Sequence, residues 1–210
     1  MDSGVGPAPG AALQETSGVL SRSVEELLDE FARATPVPGA GPAAAFVTAT
    51  AAALTAMAAR ASRESWPDAA GAVAQAESLR ARAVRLADEA ADALTAVLDE
   101  RSGAGSERVE MRDFRLGRTL HRAAAVPLSI VEAATDVALL ASHTAGHCSG
   151  DVRPDATAGA FLAHGAARAA AHLVEVNLAT MAGDERVTRA HGLVRAAGAA
   201  ADEAARKAEL

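Results

Sequence analysis

One stretch of the sequence, residues 42–59, contains no charged side chain. Small residues appear on every face of a helix built from it, and only Phe46, Val47, Leu54 and Met57 add bulk, so it offers no polar stripe for water to solvate. A Pro/Gly turn precedes it, and Pro42 suits the first position of a helix because its missing N–H is not needed there. The pattern predicts a central, buried, alanine-rich helix that starts at Pro42.

Apolar residues recur at helical spacing on both sides of this segment. The other predicted helices follow caps at Ser23, Ser106, Asp155 and Asp184, or open with Pro67. They cover about 23–35, 67–100, 106–140, 155–181 and 184 to the C-terminal region. Pro127 is expected to kink the fourth helix, because the apolar pattern resumes directly after it. We therefore expect an all-α, up-and-down bundle of about six helices around the alanine-rich helix.

Composition and charge narrow the class of protein. The chain has 210 residues, only 2% aromatic residues and no tyrosine, which argues against strands and fits one helical domain over residues 21–210. Residues 1–20 have the composition of a disordered tail without a secretion signal. A net charge of −7 without a basic tract argues against nucleic acid as a partner.

The single cysteine, Cys148, excludes an internal disulfide and fits a cytoplasmic location. Residues 42–59 are almost long enough to span a membrane. They lack a flanking aromatic or basic belt, however, so we expect no membrane association. The surplus of alanine-faced surface suggests packing against a second copy of the chain.

Two groups of polar residues are candidates for chemistry. Asp88 and Asp92 lie four residues apart beside Glu89, and paired carboxylates can act as base and acid when their pKa values separate. The alternative is a solvated helix face. Asn177 lies within an apolar stripe, where its amide either bonds a neighbouring helix or orients a ligand.

A third group consists of His143, His147, Cys148 and Asp151, whose spacing resembles that of zinc ligands. Gly146 is expected to interrupt the helix between the two histidines, which weakens the rigid presentation that a metal needs. We therefore predict no metal site.

Four short motifs carry a resemblance to a known family. They are TPVPGAGPAAA at 35–45, RLADEAADAL at 85–94, AVPL at 125–128 and VEVNL at 174–178. In this order and spacing, over roughly residues 23–205, the chain resembles the cyclodeaminase/cyclohydrolase family. This family contains the C-terminal domain of formiminotransferase-cyclodeaminase and its stand-alone bacterial relatives.

The resemblance implies a dimeric helical enzyme of one-carbon metabolism, a C–N hydrolase or lyase. Its default substrate is methenyl- or formimino-tetrahydrofolate, a cyclic amidine or iminium processed by carboxylate general acid/base catalysis without a cofactor. By position it implies catalytic roles for Asp88, Asp155 and Asp92, and substrate-binding roles for Gly39, Ala40, Gly41, Leu173 and Asn177. Asp88 and Asp155 are expected to converge beside the glycine bend.

Four family positions are changed in this chain. Ala40 replaces a glycine, Pro42 a serine, Ala90 the second aspartate and Leu173 an asparagine, which predicts a drier pocket than a folate site. Two alternatives to the folate enzyme therefore remain open. One is a paralogue recruited to a non-folate small molecule, and the other is a non-catalytic helical dimer that acts as a binding module.

Overall fold

The computed structural model describes residues 18–102, 109–179 and 183–208, and these parts of the chain are almost entirely helical. The predicted all-α class is confirmed. The helices are α1 (Val24–Ala32), α2 (Ala40–Ala61), α3 (Ala69–Ser102), α4 (Val109–Ala123), α5 (Ala125–His147), α6 (Arg153–Asn177) and α7 (Glu185–Ala208). Short 3₁₀ turns occupy Val19–Ser21 and Gly150–Val152.

The centre of the bundle is shared by two helices. Helix α2 packs against α3, α5 and α6, while α5 packs against α2, α3, α6 and α7. Alanine dominates the buried positions of both helices, with Ile130, Val131 and Val137 of α5 among the largest fully buried side chains. The predicted core position of α2 is confirmed, and α5 lies beside it as a second core helix.

Local capping explains where two helices begin. The hydroxyl of Ser23 accepts a hydrogen bond from the Glu26 amide, and the Glu26 carboxylate accepts one from the Ser23 amide at 2.9 Å. At the start of α7, the Asp184 carboxylate accepts the Arg186 amide at 2.9 Å. Both predicted caps are confirmed, whereas Ser106 lies outside the described residues.

Three other predicted starts are wrong by about two residues, one of them that of α3, which begins at Ala69 and not at Pro67. Helix α6 begins at Arg153, so Asp155 lies inside its first turn and does not cap it. Pro154 fits this turn because the first amides of a helix need no intrahelical partner. Helix α2 begins at Ala40, so Pro42 is its third residue and not its first. Its missing N–H is tolerated there for the same reason.

The predicted kink appears as a break one turn before Pro127. Helix α4 ends at Ala123 and α5 begins at Ala125, with Ala124 between them at φ −65° and ψ −17°. Pro127 has no N–H to donate to the Ala123 carbonyl, which removes one bond of the helical ladder there. With α4 and α5 counted as one interrupted helix, the described residues contain the six expected helices.

Two helices in the described residues are long and apolar enough to cross a membrane by length and composition alone: Ala40–Ala61 and the interrupted Met111–His147. In both, more than half of the most apolar window is buried inside the bundle, at 61% and 56%. Core helices of soluble proteins have the same character.

Candidate functional site

A small cavity lies where the start of α2, the second half of α3, the start of α5 and the end of α6 meet. Its volume is about 120 Å³. Its lining consists of Ala40, Gly41, Ala90, Ala93, Leu94, Val97, Ala123, Val126, Pro127, Leu173 and Asn177. Four of the predicted substrate-binding residues, Ala40, Gly41, Leu173 and Asn177, are thus brought together.

Glycine is required at both ends of the bend that leads into α2. Gly39, the N-cap of α2, has a φ of 75°, and a β-carbon there would lie 2.7 Å from Leu94 Cδ2 and 2.8 Å from the Pro36 carbonyl oxygen. A β-carbon on Gly41 would lie 2.9 Å from the Cβ of Ala90. The two glycines therefore allow α2 to approach α3 closely at the cavity.

Asn177 is the one polar side chain among the described residues that line the cavity. It is the last residue of α6 and is half-buried. Within the described parts of the chain, its side-chain amide forms no hydrogen bond, so the predicted alternative of a helix-to-helix bond is not observed. The amide remains available to a ligand.

The carboxylate of Asp88 does not line this cavity. Instead it accepts a hydrogen bond from the Val19 amide at 2.6 Å, on the side of α3 that faces the N-terminal 3₁₀ turn. Asp88 and Ala90 are two residues apart on α3, so their side chains point about 200° apart around the helix axis. Ala90 therefore lines the cavity, and Asp88 faces away from it. Asp92 is exposed and borders a separate surface depression beside Arg22 and Arg33.

Asp155 lies at the opposite end of α6 from Asn177. The two residues are separated by twenty-two positions of one continuous helix, which corresponds to about 33 Å. The expectation that Asp88 and Asp155 converge beside the glycine bend is therefore wrong for a single chain. The helix itself holds the two ends apart.

The two histidines at the end of α5 lie on one uninterrupted helix, contrary to the expectation from the sequence. Helix α5 continues through Gly146 to His147, so the predicted interruption is wrong. The rings of His143 and His147 lie 4.3 Å apart between centroids, and Trp66 stacks on His147 at 5.4 Å. Cys148 is buried and Asp151 is exposed, and no cluster of three metal-ligating side chains occurs within the described residues.

The sequence of this chain is similar to that of one known protein family. Residues 23–194 match the profile of the family described as formiminotransferase-cyclodeaminase. The chain belongs to this family. A search among curated proteins found no match.

The fold agrees with that of a solved cyclodeaminase. The crystal structure of formiminotetrahydrofolate cyclodeaminase from Thermotoga maritima, at 2.80 Å resolution, matches with a TM-score of 0.73. The match covers 90% of this chain and 94% of that chain, at 22% sequence identity. At this identity the likeness establishes the bundle architecture and not the chemistry.

Within this cyclodeaminase bundle, sequence reasoning missed several cavity-lining residues. Leu94, Val97, Val126 and Pro127 all line the cavity but carry no reactive group. Helical phase was the available signal for α3: Ala90, Leu94 and Val97 recur at intervals of four and three residues, so they share one face. Asp88 is outside that series.

Proposed function

We propose that this member of the cyclodeaminase family binds a small, largely apolar molecule with a C–N group, and that Asn177 orients it. This is the non-folate paralogue among the alternatives that the sequence left open. The observation that carries the proposal is the composition of the cavity wall. In its described part, ten apolar residues or glycine surround a single amide.

The cavity volume supports a small ligand. Pockets for drug-sized ligands measure roughly 300–1,000 Å³, whereas this cavity measures about 120 Å³. Such a volume suits a compact ring or a short chain better than the fused rings of a folate. Among the described residues, this wall offers no charged partner for a folate carboxylate.

Carboxylate acid/base catalysis at this cavity requires a residue from elsewhere, and a second copy of the chain is the proposed source. Helices α2 and α6 lie side by side and antiparallel: a β-carbon on Gly41 would lie 4.0 Å from Leu173 Cδ1, and one on Gly159 would lie 3.1 Å from Thr55 Oγ1. A two-fold axis that lies between two such layers, perpendicular to the helices at their mid-length, places opposite ends of the two layers against each other. It would carry Asp155 of the second copy towards Ala40.

The outer surface of the α2–α6 layer suits such a homodimer. Met57 is 36% exposed on α2, and Phe161, Leu162 and Val176 are 50%, 38% and 52% exposed on α6. Burying large apolar side chains of this kind stabilises an interface by about 25 cal/mol per Å² of apolar surface removed from water. We propose a homodimer on this basis, and a cytoplasmic location because the single cysteine of the chain, Cys148, is free.

A binding module without catalysis is the second candidate. It is favoured by Asp88, whose carboxylate bonds the Val19 amide instead of facing the cavity. Turnover of a C–N substrate would favour the enzyme over this candidate.

Two measurements test the proposal. With methenyl-tetrahydrofolate and purified protein, absorbance decay is expected to be no faster than in buffer. Clear turnover would instead support the hypothesis of a folate enzyme.

In an NMR titration, 2-pyrrolidinone, a compact cyclic amide, is expected to shift the side-chain amide signal of Asn177. The Asn177→Leu variant should lose at least about tenfold in affinity, because one oriented hydrogen bond in an apolar site is removed. Equal affinity in both proteins would contradict the role of Asn177.

A further inference from the structure

A larger recess lies between the first half of α3 and the second half of α5. Its volume is about 890 Å³, and its lining includes Trp66, Asp68, Leu79, Asp136, Leu140 and His143. This volume falls within the range of roughly 300–1,000 Å³ that is usual for small-molecule sites. On α3, Leu79 precedes Ala90 by eleven residues, or about 16 Å, so the recess is distinct from the cavity beside Asn177.

The recess has a mixed lining, and its apolar part is formed by leucines of α3 and α5 together with Trp66. Leu140 is only 9% exposed and Leu79 is half-buried, while Leu139 beside them is 51% exposed. Trp66 closes one end, where it stacks on His147 and lies 5.7 Å from the His143 ring. The recess thus offers an apolar patch, beside polar side chains, on which an aromatic or aliphatic group can pack.

The rim of the recess carries negative charge. Asp68 and Asp136 are both lining residues, and no lysine or arginine lines the recess within the described chain. The Asp68 carboxylate forms no hydrogen bond or ion pair with another described residue, although its backbone carbonyl accepts hydrogen bonds from the Gly71 and Ala72 amides. The nearest cation to Asp136 is Arg82 at 3.6 Å, and Arg82 also lies 3.2 Å from Glu132, so its charge is shared.

Two titratable groups at the recess have shifted pKa values. Burial raises the pKa of Asp136 against the opposing charge of Arg82, so its carboxylate lacks a full counter-charge. Burial, the neighbouring His147 and the charge of Lys207 lower the pKa of His143, although Asp68 opposes this shift. At neutral pH the imidazole of His143 is therefore uncharged and does not repel a cation bound beside Asp68.

We propose that the α3–α5 recess is a second ligand site and that it binds an organic cation, an amine or amidine attached to an apolar body. The cationic group pairs with Asp68, and the body lies over Leu139 and Leu140. Asp136 adds attraction from the far end of the recess. The site is independent of the function proposed for the cavity beside Asn177.

The single tryptophan of the chain makes this site directly observable, because Trp66 is part of its wall. The probe is phenethylammonium chloride, and its uncharged match is 2-phenylethanol. Phenethylammonium is expected to cause a saturable change in Trp66 emission, whereas 2-phenylethanol should require concentrations at least about tenfold higher, since it lacks the ion pair.

Two variants and two controls locate the binding. Asp68→Asn should weaken binding of phenethylammonium by about tenfold, and Asp202→Asn, at an exposed position on α7, should leave it unchanged. Gly71→Leu should abolish binding while the helical content is retained, because no atom lies within 4 Å of a β-carbon at this recess position. Asn177→Leu should have no effect on phenethylammonium, which separates this site from the cavity.

Any of three results would overturn the proposal. The first is no saturable Trp66 response to phenethylammonium with the unmodified protein. The second is an equal response to 2-phenylethanol at the same concentrations. The third is an unchanged affinity in the Asp68→Asn protein.

Discussion

Gly41 of α2 and Ala90 of α3 meet so closely that a β-carbon on residue 41 would lie 2.9 Å from the Cβ of Ala90. Both residues also line the cavity beside Asn177. This close contact between the two helices is therefore also part of the cavity wall. A change at either residue acts on packing and on the cavity together.

Gly41→Ala is expected to lower the free energy of unfolding by about 1–3 kcal/mol, because the added methyl group overpacks the α2–α3 contact. Gly71→Ala is the matched control, since a β-carbon at residue 71 meets nothing within 4 Å. There the substitution should raise the free energy of unfolding by up to about 1 kcal/mol through helix propensity. Urea denaturation measures both, and equal effects would contradict the close contact.

Asn177→Leu should leave the free energy of unfolding within about 1 kcal/mol of the original, because the amide that it removes has no hydrogen-bond partner among the described residues. Asn177→Asp should be destabilising at neutral pH, since it puts a charge into an apolar cavity and raises the pKa of the new carboxyl. Acidification to about pH 4 should restore much of the loss as that carboxyl is protonated. Thermal unfolding at both pH values measures this. A pH-independent loss would argue against an apolar cavity.

The Asp184 cap predicts a pH-dependent contribution to stability. Hydrogen bonds from the Arg186 guanidinium and amide hold the pKa of Asp184 well below its usual range. Because the folded-state pKa is depressed, the stabilisation is full above the unfolded value of about 3.9 and is lost as the pH falls further. Asp184→Asn keeps a good capping side chain but removes the charge. Its melting temperature should be lower than that of the original protein at neutral pH, and the gap should narrow below about pH 4.

The proposed homodimer predicts that a charge on the outer face of α6 dissociates the protein. Phe161→Glu introduces that charge at a residue that is 50% exposed, and sedimentation should then show a monomer with an unchanged helical content. Phe114→Glu is the control, because Phe114 is 62% exposed on α4, outside the proposed interface. Dimers that persist in Phe161→Glu, or are lost equally in both variants, would place the interface elsewhere.

The fold was more predictable from the sequence than the site was. The bundle, the α2 core helix and the caps at Ser23 and Asp184 were predictable, because each depends on side chains within a few residues of one another. The cavity was predicted in part: the glycine bend and Asn177 belong to it, but Asp88 does not. The predicted helix over 155–181 already implied the long distance between Asp155 and Asn177. The expectation that Asp155 lies beside the glycine bend did not take this distance into account.

The sequence by itself determined the helical elements, their order and their family, since local periodicity, caps and motif spacing are properties of the chain alone. Tertiary structure decided which face of each helix meets its neighbours. The side chains of Asp88 and Ala90 point about 200° apart around the axis of α3. The local sequence does not determine which of them faces the cavity. That choice is set by the Gly41–Ala90 contact between distant segments, and it makes the cavity apolar.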